Sequence, residues 1–116
     1  MQKYLIKFVG GLVLACLAHS ASAAWTGYFE ITEVLVAGDL IEIHGLNIPD
    51  LNTCNSPGAV VVTVATTQTR RNNILATALT AVAMGSEIRV NVKGSGCYPY
   101  WGYSVQEIDG ISVKAP

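Results

Sequence analysis

From Tyr28 to Leu46 the chain reads "YFEITEVLVAGDLIEIHGL", with apolar and polar residues alternating on either side of Gly38-Asp39. A period of two marks a half-buried strand, and glycine first in a two-residue loop suits a type II′ hairpin turn. That turn sets the register: Ala37 faces Leu40, Val36 faces Ile41 and Val34 faces Ile43. Val34, Val36, Ile41 and Ile43 then share one face and are predicted to point inward. Phe29 and Ile31 fall on the opposite parity. One extra residue near Thr32-Glu33, a β-bulge, returns them to the core and curves the strand.

The breaker-rich "NIPDLNTCNSPG" predicts a loop holding Cys54, and the β-branched "AVVVTVA" after it predicts a buried strand. The period then changes. In "NNILATALTAVAMG", Ile74, Leu75, Ala78, Leu79 and Val82 recur at helical spacing, Asn72 or Asn73 can cap the start, and Gly85 ends the run. Ala76, Ala81 and Ala83 fall off that stripe, where small residues permit close approach of another subunit. "EIRVNVK" alternates again with Ile88, Val90 and Val92 on one side. The last strand lies in "YSVQEIDGISV", where Asp109-Gly110 marks a bulge or tight turn. Three strands, one helix and two strands predict a mainly β domain of the OB-fold class, a five-stranded Greek-key barrel with its helix between strands three and four. A split sheet crossed by the helix is the alternative. Cys54 would follow strand two and Cys97 strand four.

The N-terminal residues bear on compartment. Lys3 and Lys7, the apolar "LIKFVGGLVLACLA" and the small-residue "ASA" at Ala21 to Ala23 read as a secretory signal peptide over residues 1–23. The apolar run is short of the about 20 residues a membrane span takes. A competing reading takes "VLAC" as a lipoprotein box with Cys16 lipidated. Residues 24–116 make one small domain, and domains of this size bury barely enough surface to stand alone. A covalent staple or self-association compensates. Two cysteines follow the signal segment, Cys54 and Cys97, and an oxidising compartment predicts that they pair. A redox role would call for a CxxC motif, which the sequence lacks.

Charge and chemistry narrow the function. Past the signal segment, Arg70, Arg71, Arg89, Lys93 and Lys114 stand against eight acidic residues. A mildly acidic domain does not draw in a phosphate backbone, so nucleic acid is not an expected partner. Arg70 and Arg71 read as a solvated helix entrance. His44, opposite Glu33 in the hairpin register, reads as half of a surface pair. No third group completes a catalytic constellation, too few ligands stand at useful spacing for a metal, and no phosphate-cradling glycine loop occurs. Catalysis, metal and cofactor are therefore not expected.

The stretch "GSGCYPYWGYS" crowds Tyr98, Tyr100, Trp101 and Tyr103 behind Cys97. Sugars present flat C–H faces, and Tyr or Trp offers a ring to stack on and a polar tip for hydroxyls. Tyr98, Tyr100 and Trp101 are glycan-binding candidates on that ground. Packing on the disulfide at the barrel end is the competing role, above all for Trp101.

Finally, "WTG" at Trp25 to Gly27, "ITEVLV" at Ile31 to Val36, "GSEIRVNV" at Gly85 to Val92 and "YP" at Tyr98-Pro99 run in an order that resembles the B subunit of subtilase cytotoxin and its relatives. The resemblance implies an OB-fold, a homo-oligomeric ring of five with helices towards a central pore, binding of cell-surface glycans, and delivery of a separate enzymatic A subunit. Tyr28 joins the candidates because it stands between "WTG" and "ITEVLV", where the resemblance implies a sugar pocket. That stretch is longer in the toxin subunit, and the cysteine arrangement differs. A small periplasmic protein-interaction module, of inhibitor or immunity type, is the alternative reading.

Overall fold

The computed structural model describes residues 24–55, 58–100 and 102–115, without the side chains of residues 95 and 100. The expected signal peptide over residues 1–23 and the lipidation of Cys16 fall outside the described residues. Along it run β1 (Ala24–Trp25), β2 (Glu30–Ala37), β3 (Leu40–Leu46), β4 (Ala59–Val62), α1 (Gln68–Met84), β5 (Ile88–Tyr100) and β6 (Tyr103–Val113). The domain is mainly β with one helix, and β1 adds a short strand to the five predicted.

β2 and β3 form the hairpin in the predicted register, Val36 opposite Ile41 and Val34 opposite Ile43. Gly38, at φ 61, supplies the left-handed first position of the turn. The register slips between Ile31 and Glu33, and the bulge turns Phe29 into the interior and packs Ile31 on the core. Val36 departs from expectation. It stands one residue from the hairpin turn and is 53% exposed.

The strands make one six-stranded mixed sheet in the order β1-β5-β6-β4-β3-β2. β4 and β6 run parallel, Val60 opposite Gln106, and the other neighbours are antiparallel. The two ends of the sheet meet where Phe29 and Ile88 exchange backbone hydrogen bonds of 2.7 and 2.9 Å. Inside lie Ile41, Ile43, Val60, Val62, Ile74, Ile88, Val90, Val92 and Ile108. Gly45 is where the Phe29 ring fits: a Cβ there would stand 2.6 Å from Phe29 Cδ2 and 2.8 Å from the Glu30 carbonyl oxygen.

Three boundaries differ from the sequence reading. β4 stops at Val62 because Thr63 turns the chain, its carbonyl accepting from Thr66 N–H at 3.0 Å and its hydroxyl from Ala65 N–H at 3.2 Å. The helix therefore starts at Gln68, capped by Thr67, whose hydroxyl accepts from Arg70 N–H at 3.4 Å. Arg70 is exposed, and Arg71 donates to the Thr66 carbonyl at 2.8 Å. Gly85, at φ 66, ends the helix as predicted. The third difference is β5, which runs on to Tyr100, so Cys97 sits within a strand and not in a loop after it.

The helix is also rotated from the predicted stripe. Ile74, Ala78 and Ala81 are buried, whereas Leu79 and Val82 are about half exposed. Apolar residues occur nearly all round this helix, so periodicity alone does not choose the face. Close packing on the sheet selects small Ala78 and Ala81.

Asn91 stands opposite Gly110 and Val92 opposite Ile108, which leaves Asp109 as the extra residue of the predicted bulge. Beyond it, Lys93 to Gly96 bulge away from β6, where Glu107 accepts from Lys93 Nζ at 2.7 Å and from Thr63 Oγ1 at 2.9 Å. Asn52 fastens the loop after β3 to this bulge, donating to the carbonyls of Lys93 (2.8 Å) and Gly96 (2.9 Å). Buried Gln106 holds the same loop, accepting from Asn52 N–H at 3.1 Å and donating to the Pro49 carbonyl at 2.8 Å. Each such bond is worth about 1 kcal/mol net. Asn52→Ala is therefore expected to lower stability by about 2 kcal/mol in urea unfolding, and an unchanged midpoint would show that the bulge holds without it.

Candidate functional site

The segment before β2 is stitched to β5. Trp25 stands opposite Asn91, Thr26 N–H donates to the Val90 carbonyl at 2.9 Å, and Val90 N–H donates to Thr26 Oγ1 at 3.2 Å. With Thr26 and Phe29 buried, Trp25 and Tyr28 are left on the surface, 47% and 41% exposed. On β5, Ile88 and Val90 point inward, so Arg89 between them points out. Its guanidinium carbon lies 5.1 Å from the Trp25 ring centroid and 5.5 Å from that of Tyr28.

Lys114 closes the group from the end of β6, its Nζ 5.7 Å from the Tyr28 ring and 3.3 Å from Glu87 Oε1. The Trp25 ring lies over Gly110: a Cβ there would come 3.4 Å from Trp25 Cη2, at van der Waals contact, and 3.2 Å from Asn91 Cβ. Each exposed cation–ring contact is worth about 0.5–1 kcal/mol, enough together to fix the ring orientations. Arg89 Nε is buried with no hydrogen-bond partner. The result is a surface of two oriented rings with donor groups between them, which can stack on an apolar face and hydrogen-bond its polar rim.

The other candidates lie elsewhere. Tyr98 is half-buried and packs with Leu40 on Ala59, Val61 and Val105, a second apolar cluster on the opposite face of the sheet from the main core. Tyr100 pairs with Tyr103 at the end of β5, and Tyr103 is 62% exposed. The calls on the Tyr100 side chain and on Trp101 lie outside the described residues. Arg89 and Tyr98 lie nine positions apart along β5, up to roughly 30 Å on a strand. Tyr28 groups with Arg89 and Lys114, and Tyr98 with Ala59, Val61 and Val105. Trp25 and Arg89 were missing from the sequence-based candidates. The available signal was Trp25 and Tyr28 flanking a glycine, but their meeting with Arg89 depends on a strand pairing far apart in sequence.

Cys54 and Cys97 are disulfide-bonded, with Cα atoms 5.8 Å apart, which fits an oxidising compartment. His44 does stand opposite Glu33, yet its side-chain contact is with Glu42 on its own strand, Nε2 to Oε1 at 3.0 Å. The Glu42 side chain is only 7% exposed and the imidazole lies against it, whereas Glu33 is exposed to solvent. Among the described residues no three His, Cys, Asp or Glu side chains gather as a metal site, and no helix is long and apolar enough to cross a membrane. No family model, curated protein or solved structure matches the chain.

Proposed function

We propose that this is an exported, non-catalytic glycan-binding module of the toxin B-subunit type, freed of residues 1–23 and built on an OB barrel. Supporting the barrel are the strand order, the parallel β4–β6 pair, the helix between β4 and β5, and the Phe29–Ile88 bridge that draws the sheet ends together. Self-association belongs to this reading, as does an enzymatic A subunit as cargo. The observation that carries the binding function is the pair of half-exposed rings, Trp25 and Tyr28, held in place by Arg89. A cell-surface sugar would stack on the rings while its hydroxyls meet the Arg89 and Lys114 donors. Tyr98 is better suited to packing than to contact, because its ring already covers Val61 and Val105.

The test is a glycan array with the folded, exported protein. Trp25→Ala and Tyr28→Ala are each expected to lower the signal about tenfold or more, the worth of one lost ring contact of about 1.4 kcal/mol. Tyr98→Ala should leave it within about twofold. An array without hits for the wild type would move the assignment to the protein-interaction module. An exported hydrolase or effector encoded next to the gene would support that move.

A further inference from the structure

Residues 24–69 hold Glu30, Glu33, Asp39, Glu42 and Asp50 and no lysine or arginine; the basic residues of the domain all come later in the chain. Lys93 pairs with Glu107 and Lys114 with Glu87, and among the described residues no lysine or arginine forms an ion pair with an acid of the β2–β3 hairpin.

On the hairpin face turned away from the main core, Glu42 stands between Leu35 of β2 and Val61 of β4, with Leu40 and His44 two residues to either side. Its side chain is 7% exposed, Oε1 lies 3.0 Å from His44 Nε2, and Oε2 is buried with no hydrogen-bond partner. Leu40 and Val61 belong to the second apolar cluster. A carboxylate oxygen among apolar neighbours and without a donor is costly to hold. Leu35 is 38% exposed and the His44 side chain 37%, so the carboxylate lies one side chain beneath the surface. Exposed Glu33 faces His44 across the hairpin and is diagonal to Glu42, a relation that sets residues about 7–8 Å apart.

We propose that this face docks a protein partner through an arginine set between apolar residues. The guanidinium enters over Leu35, donates to Glu42 Oε2 and reaches Glu33 with its other N–H groups, while the flanking residues cover Leu35 and Leu40. Arginine fits better than lysine. Its planar fork serves two acceptors at once, and it is the more weakly hydrated cation, so it enters an apolar setting at lower cost. The unbalanced acidic charge of the hairpin turns away a phosphate backbone or an anionic membrane surface. The chain's own exposed arginine, Arg70, stands in "QTRRNN" without apolar flanks, so a separate protein is the better occupant. This surface shares no residue with the Trp25, Tyr28 and Arg89 site and does not depend on glycan binding.

The test uses the full exported protein, isotopically labelled, with two peptides as probes. One is acetyl-Leu-Arg-Leu-amide; the other carries citrulline in place of arginine, which keeps the shape and lacks the charge. The amide resonances of Leu35, Glu42, His44 and Val61 are expected to move with the arginine peptide, at an affinity about tenfold or more above that of the citrulline peptide. Glu42→Gln should remove that difference while the spectrum stays that of a folded chain. Leu35→Arg supplies the guanidinium from the facing strand of the same chain. It should melt above Leu35→Gln and no longer take up the arginine peptide. No response to either peptide, equal affinity for the two, shifts gathered at Trp25 and Arg89, or equal melting of the two Leu35 variants would each overturn the proposal. So would a fall in assembly mass for Glu42→Gln by light scattering, which would give the face to another copy of this chain. None of these outcomes bears on the array result.

Discussion

Replacing Cys54 and Cys97 together by serine is expected to lower stability by about 4 kcal/mol, the chain-entropy worth of a bridge that spans 43 positions. Small domains hold about 5–15 kcal/mol in all, so the variant should be close to unfolding at body temperature. The bridge does not act alone. Asp50 Oδ1 accepts from Cys54 N–H at 2.8 Å, and Asn52 and Gln106 hold the same loop from both sides. Urea unfolding of the oxidised protein and the double serine variant measures the difference. A loss below about 1 kcal/mol would mean that these hydrogen bonds already restrict the loop in the unfolded chain.

The second large effect is expected at Gly45 and Phe29, which fit only each other. Phe29→Ala removes a ring that is 3% exposed, and such truncations lose about 3–5 kcal/mol. Gly45→Ala should lose about 1–3 kcal/mol by overpacking, since its Cβ would lie 2.6 Å from the ring and 2.8 Å from a backbone oxygen that cannot swing aside. Because the two residues share one space, their effects should not add. The double variant Gly45→Ala with Phe29→Ala is expected to be more stable than the sum of the singles by about 1 kcal/mol or more. Strict additivity in this cycle would show that the clash falls on the Glu30 carbonyl and not on the ring.

Much of the fold was legible because local chemistry fixed it. The Gly38-Asp39 turn set the hairpin register, parity demanded the bulge before Val34, and Gly85 could only end a helix. The cysteine pair followed from compartment and number. What sequence could not supply was rotation and convergence. Leu79 and Val82 look as apolar as Ile74, and only the distance from helix to sheet decides that Ala81 goes inside. The grouping of Trp25 and Arg89 with Tyr28 escaped the sequence reading for a similar reason. The crowd of rings behind Cys97 is conspicuous along the chain, whereas Trp25, Tyr28 and Arg89 become neighbours only when β1 lies on β5. A dense local motif drew attention from a sparse one assembled by long-range pairing.

The parallel contact between β4 and β6 has a kinetic consequence. Val60 must find Gln106 after the helix and the whole of β5 have intervened, and contacts so distant in sequence form slowly because loop closure comes before any gain. The Cys54–Cys97 link lies just outside both strands and holds their approaches together even in the denatured chain. Protein unfolded with this link intact should therefore regain β4–β6 pairing through a short search, and reduced protein through a long one. Refolding from urea should be faster for the oxidised chain, while unfolding rates differ less, as expected for a constraint that acts before the transition state.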